Sequence, residues 1–89
     1  MKHAFHVSVL TEERTVYEGD AVSLVVPGEA GFFGIWAHHA PLVSTLKPGQ
    51  ITLKKNEQDR PLVFHSGAKG FCEVLKNNVT LLLDRLDGS

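Results

Sequence analysis

The sequence is poor in the groups that usually announce chemistry. It has one cysteine, Cys72, in 89 residues. A single thiol cannot close an internal disulfide, so nothing in the chain points to an oxidising compartment. Cys72 lies in Gly70-Phe71-Cys72-Glu73-Val74, which reads as a strand. The expectation is a small, half-buried strand residue, because a reactive thiol needs a nearby base and a positive surrounding. Charge of one sign is also lacking: nine basic residues face ten acidic ones, for a net charge of −1. That removes the basic footprint of a nucleic-acid binder and the polybasic patch of a membrane-surface protein. No apolar run reaches the roughly 18 residues of a membrane span. Met1-Lys2-His3-Ala4-Phe5-His6 resembles neither a secretory signal nor a transit peptide. The expected location is cytoplasmic, with any membrane association made through another protein.

Catalytic and cofactor motifs are equally scarce. The glycines do not form a phosphate-cradling loop, and Gly28, Gly31 and Gly34 are followed by no helical pattern that would make them a dinucleotide fingerprint. Ser8, Ser23, Ser44 and Ser66 lack a nucleophile-elbow setting. Glu12-Glu13 reads as a solvated turn rather than a buried acid pair. Five histidines invite a metal reading, but His38 and His39 are adjacent, and adjacent residues of an extended strand point to opposite faces. His3 and His6 sit at the N-terminus and His65 stands alone. These spacings do not resemble a zinc site. The expectation is no cofactor, no metal and no catalysis by this chain alone. An enzyme using His38 or His65 is the weakest reading retained.

Strand patterns fill the rest. Phe5, Val7 and Val9 alternate with His6, Ser8 and Leu10. The same period of two recurs in Val22-Val26, Ile51-Leu53 and Val79-Leu83. Leu62-His65 and Phe71-Leu75 read as two further strands. Turn signals at Glu18-Gly19-Asp20, Pro27-Gly28, Pro48-Gly49, Asn56 to Arg60, Ser66-Gly67 and Asn77-Asn78 divide them. Short strands with frequent turns predict an all-β sandwich or barrel forming one domain over residues 1–89. A domain of this size buries only about 60–65 % of the surface its unfolded chain exposes, so a stabilising partner is expected.

One segment, Gly28 to Leu46, fits no simple pattern. It crowds Phe32, Phe33, Trp36, His38, His39 and Pro41 among three glycines. The aromatics either plug one end of the sandwich or face outward as a binding surface. If Phe32, Phe33 and Trp36 form an exposed coplanar row, the chain reads instead as an unrelated β-sandwich module for peptide or carbohydrate.

The collinear blocks Val16-Tyr17-Glu18-Gly19-Asp20, Val25-Val26-Pro27-Gly28, Gly31-Phe32-Phe33-Gly34-Ile35, His39-Ala40-Pro41-Leu42-Val43, Leu46-Lys47-Pro48-Gly49, Gly70-Phe71-Cys72-Glu73-Val74 and Asn78-Val79-Thr80-Leu81-Leu82-Leu83-Asp84 resemble the epsilon-subunit family of the bacterial-type rotary ATP synthase. The likeness runs from about Phe5 to Asp84. His-Ala-Pro-Leu followed by Leu-Lys-Pro-Gly is its most specific part. It implies a flattened sandwich of two mostly antiparallel sheets. It also implies a rotor role at the foot of the central stalk, binding the gamma subunit and the ring of c subunits and coupling proton- or sodium-driven rotation to ATP synthesis. The chain would then be peripheral on the cytoplasmic face of the inner membrane, touching it only through the c ring.

The resemblance assigns a gamma-facing patch to Val16, Tyr17, Ala40, Pro41, Leu42 and Val43, and a ring-facing loop to Glu29, Ala30, Gly31, Phe32 and Phe33. It implies that His39 orders its turn through a hydrogen bond. The chain departs from the family pattern in two places. Pro-Gly commonly precedes the conserved histidine, whereas Ala37-His38 stands here, which implies a locally different turn. Family members commonly continue into a C-terminal helical hairpin, whereas this sequence stops at Ser89. A length of 89 residues favours the expectation of a naturally short chain with no such hairpin.

Overall fold

In the computed structural model, which describes residues 3–87, strands follow one another without an intervening helix. They are β1 (Phe5–Thr11), β2 (Thr15–Ala21), β3 (Ser23–Gly28), β4 (Gly31–Ile35), β5 (Leu42–Leu46), β6 (Gly49–Lys54), β7 (Leu62–Ser66), β8 (Gly70–Leu75), β9 (Asn78–Leu83) and β10 (Leu86–Asp87). Hydrogen bonding orders them β10-β7-β6-β3-β5-β8-β9-β1-β2, with β4 on the free side of β3. Each neighbouring pair is antiparallel except β1 with β9, which is parallel over His6 to Thr11.

The expected sandwich is therefore one curled sheet folded into two layers. The first layer holds β4, β3, β6, β7 and β10; the second holds β5, β8, β9, β1 and β2. A single residue pair, Gly28 with Leu46, joins β3 to β5 and carries the sheet from one layer to the other. Alternation supplies the interior from both sides. Leu24, Val26, Ile35, Ile51 and Leu53 come from the first layer; Phe5, Val7, Val9, Leu46, Cys72, Val74, Val79, Leu81 and Leu83 come from the second. A fully buried Leu or Ile side chain stabilises by about 1.5–3 kcal/mol, so this one cluster supplies the main favourable term.

Several turn signals prove to lie inside strands. Glu18-Gly19-Asp20 belongs to β2, where the Tyr17 hydroxyl would come within 3.0 Å of a side-chain carbon placed on Gly19. Pro27-Gly28 ends β3, and the chain reverses one step later at Glu29-Ala30, between the paired Gly28 and Gly31. Asn77-Asn78 reads correctly as a reversal but shifted by one: Lys76 and Asn77 take φ of 50° and 63° between the paired Leu75 and Asn78. Positive φ at both central residues is the requirement of the tight hairpin turn that matches strand twist. Cys72 is fully buried rather than half-buried. The sequence-read domain bounds, 1–89, extend past the described residues at both ends.

Candidate functional site

The site residues sit on three elements. Glu29 and Ala30 form the tip of the β3–β4 hairpin, and Gly31, at φ 132°, resumes the strand in a conformation that glycine tolerates. Phe32 and Phe33 follow on opposite faces of β4. Phe32 is 64 % exposed, whereas Phe33 packs against the core, its ring filling the space a side chain on Gly28 would need. Trp36, 59 % exposed, lays its ring over Gly34. The segment thus contributes one plug, Phe33, and two outward rings. Phe32, Phe33 and Trp36 do not form a single exposed row, and the peptide or carbohydrate module loses its platform.

Residues 36–41 make the bend into β5. The His39 amide donates to the Trp36 carbonyl at 3.3 Å, closing a four-residue turn. His38 is its third residue and takes φ 64°. This is a type II pattern, which favours Pro then Gly at its centre. His38 thus takes the left-handed position that glycine favours in such a turn. The His39 ring, with its proton on Nδ1, donates to the Ala40 carbonyl at 2.7 Å, since a carbonyl can only accept. Adjacent His38 and His39 lie in this bend and not on a strand, contrary to the geometry assumed from sequence. Among the described residues, no three histidine, cysteine or carboxylate side chains converge to hold a metal ion.

Leu42 and Val43 open β5. Leu42 is half-buried against the core and Val43 is 73 % exposed. A shallow groove brings them together with the hairpin tip: Glu29, Phe32, Phe33, His39, Leu42, Val43 and Thr45 line it. Thr45 Oγ1 donates to Glu29 Oε2 at 3.4 Å, tying the tip to β5. The loop expected to face the ring and the β5 part of the patch expected to face gamma therefore lie on one continuous surface. Ala40 and Pro41 border it and are exposed.

Val16 and Tyr17 lie elsewhere. They belong to β2, the edge of the second layer, with β1, β9 and β8 between them and β5. Tyr17 pairs across the ladder with the buried Val9 and so shares its inward face. Its ring packs against the core and its hydroxyl donates to the Asp20 carbonyl at 2.9 Å. Burial, then the charge of Asp20, raises its pKa. The six-residue patch is thus split between two edges of one layer.

The structure adds residues to the surface that the sequence reading did not select. Phe71 and Leu82 are half exposed and stand directly opposite each other on β8 and β9, and Leu75 is exposed further along β8. Thr45 pairs with Phe71 and Val43 with Glu73, so the row continues from the Val43 strand across three strands. The alternation of Phe71, Glu73 and Leu75 with buried Cys72 and Val74 was visible in the sequence. Which phase faced outward was not, because both phases contain apolar groups.

Comparison with known proteins bears on what such a surface serves. The family model for the ATP synthase Delta/Epsilon chain, beta-sandwich domain, matches residues 4–87. An ATP synthase epsilon chain of Leptospira borgpetersenii serovar Hardjo-bovis is 45 % identical over 82 residues, which cover 92 % of this chain and 62 % of the relative. The epsilon chain of Dichelobacter nodosus is 37 % identical over 84 residues, covering 94 % and 57 %. The chain thus spans about three-fifths of the length of the curated relatives it matches. In fold it is similar to a chain in the cryo-EM structure of the Euglena gracilis mitochondrial ATP synthase, OSCP/F1/c-ring in rotational state 1. That match has a TM-score of 0.86 at 15 % identity and covers 97 % of this chain and 54 % of that one. On the family match and the identity of its relatives, this chain belongs to the ATP synthase delta/epsilon family, of which it carries the β-sandwich domain.

Proposed function

We propose that this chain is the β-sandwich of a central-stalk rotor subunit in a rotary ATP synthase, a non-catalytic joint that binds the gamma subunit and the c ring. The observation that carries this reading is the groove in which the hairpin tip Glu29–Phe33 stands beside Leu42 and Val43. A joint between two rotor parts calls for two adjoining contacts on one rigid body, and this surface offers them. The Glu29-Ala30 tip is narrow, polar and exposed, suited to reach the loops of a ring. The β5–β8–β9 face presents Val43, Phe71 and Leu82, the apolar centre that a stable interface needs, with Glu73 and Thr80 among them. Family membership supports the same assignment. So does the fold shared with chains in ATP synthase structures, among them a chain in the cryo-EM structure of the Tetrahymena thermophila mitochondrial ATP synthase central stalk and c-ring, with a TM-score of 0.76. Membrane association is then indirect and on the cytoplasmic face; among the described residues no helix is long and apolar enough to cross a bilayer.

Two substitutions test the division of labour. Val43→Glu puts a charge on the apolar face without touching the core, and it is expected to weaken binding of isolated gamma about tenfold or more, a loss of roughly 1.4 kcal/mol or above, with an unchanged melting temperature. Glu29→Ala is expected to leave gamma affinity within about twofold and to lower ion-coupled ATP synthesis in reconstituted enzyme. Calorimetry that finds the Val43→Glu chain binding gamma as tightly as the parent would remove β5 from the interface. Tyr17→Asp, by contrast, disturbs a ring packed on the core, so a loss of gamma binding there counts only if the variant still melts cooperatively.

A further inference from the structure

The bend that presents His39, Ala40 and Pro41 is held from outside by one side chain. Asn77 lies on the β8–β9 turn, 39 residues away, and both ends of its amide are used. Its Oδ1 accepts the His38 backbone N–H at 2.7 Å. Its Nδ2 donates to the Ala4 carbonyl, just before β1, at 2.8 Å. Its own carbonyl accepts the His6 amide at 3.1 Å. One residue therefore ties together the β8–β9 turn, the start of β1 and the bend at 36–41. Asn77 and His38 share a further feature: both are non-glycine residues in the left-handed region, at φ 63° and 64°. Asparagine occupies that region more readily than histidine. The bond at 2.7 Å reaches a non-glycine residue whose left-handed conformation benefits from an external hold.

We infer that Asn77 is the positioning residue of the docking bend: it fixes His38 in the conformation that a glycine would adopt unaided, and so sets the direction in which His39, Ala40 and Pro41 leave the sandwich. The claim that this direction matters for a partner rests on the gamma-binding reading above; the clamp itself does not. Asn77 is at the same time half-buried and locked at both ends of its amide, so it has no freedom to serve as a partner contact itself.

Three variants of the chain separate these claims. Asn77→Gly keeps the β8–β9 turn, since glycine accepts its φ, and removes both side-chain bonds. Asn77→Asp keeps the acceptor for His38 and loses the donor to Ala4. His38→Gly combined with Asn77→Gly removes the clamp together with the need for it. Amide hydrogen exchange read by NMR on the free chain is expected to accelerate at His38 by about tenfold or more in Asn77→Gly, a change of about 1.4 kcal/mol in opening, and to stay near the parent rate in Asn77→Asp. Gamma affinity is expected to fall at least fivefold in Asn77→Gly and to return in the double variant, a rescue that a general loss of packing would not give. Unchanged His38 exchange in Asn77→Gly overturns the clamp. Accelerated exchange with unchanged gamma affinity overturns its role in docking. If the parent chain itself fails to bind gamma, the functional reading falls, while the exchange result still decides whether Asn77 holds the bend.

Discussion

Cys72 shows how a single burial reaches into pH dependence. Its side chain is shut off from solvent between the two layers, and desolvation pushes the thiol from 9.0 up to about 11. The unfolded thiol ionises first, so above about pH 9 the unfolded chain releases a proton that the folded chain retains. Stability therefore falls as pH rises from about 9 to 11, by about 2–3 kcal/mol in all. Tyr17, whose phenol is also raised, adds to the fall in the same direction above its ordinary 10.0. Urea midpoints at pH 7, 9 and 10 should show a slope that Cys72→Ala flattens between pH 9 and 10, although that variant is less stable at pH 7 because it leaves a small cavity. An equal slope in both chains would mean that Cys72 reaches water in the folded state. His38 makes the complementary case on the backbone. A side chain in the left-handed region costs about 1–2 kcal/mol, so His38→Gly should raise the melting temperature by several degrees, a rise that scanning calorimetry would detect.

At the scale of the element, the β3–β4 hairpin depends on what its glycines leave empty. A side-chain carbon on Gly28 would stand 2.8 Å from the Phe33 ring and 3.0 Å from the Gly31 carbonyl oxygen. Gly28→Ala must displace Phe33, which plugs that end of the core, and is expected to cost about 1–3 kcal/mol in chemical denaturation. Gly34→Ala meets the Trp36 ring at 2.3 Å. Because that ring is already largely exposed, it should swing off the sheet with a smaller loss of stability and a red-shifted tryptophan emission. These seats also explain how much of the elements was legible. β1, β6, β8 and β9 alternate cleanly and were read from their residues alone. β2 and β4 were not, because Gly19, Gly31 and Gly34 look like punctuation in a chain read locally, whereas in the fold Gly19 and Gly34 make room for an aromatic ring. β5 stayed hidden inside the aromatic segment, since its partners on β8 lie 24 to 32 residues downstream, from Leu46 with Gly70 to Leu42 with Val74.

Across the whole molecule, the parallel pairing of β1 with β9 brings nearly opposite ends of the chain side by side. Removing residues 78–87 strips β1 of one neighbour and takes Val79, Leu81 and Leu83 out of the core. At about 1.5–3 kcal/mol each, that loss rivals the roughly 4–13 kcal/mol expected for a domain of this length, and the shortened chain should show no cooperative melt. The same non-local closure decided which parts of the site were readable. The hairpin tip and the His39–Val43 segment were named on resemblance, each as a run local in sequence, and that they share a groove could not be known before β3 and β5 met at Gly28 and Leu46. Val16 and Tyr17 were grouped with them on resemblance; β2 ends up at the far edge because β8, β9 and β1 insert between. A growing polypeptide meets this arrangement in order of synthesis. At about 5–20 residues per second, the β1–β2 ribbon waits about 3–12 seconds on the ribosome for β9 to be made, with the flank of β1 bare in the meantime. That flank is a ready template for a stray strand, so newly made copies are most exposed to mispairing there, and a chaperone that shields residues 5–11 would protect them longest.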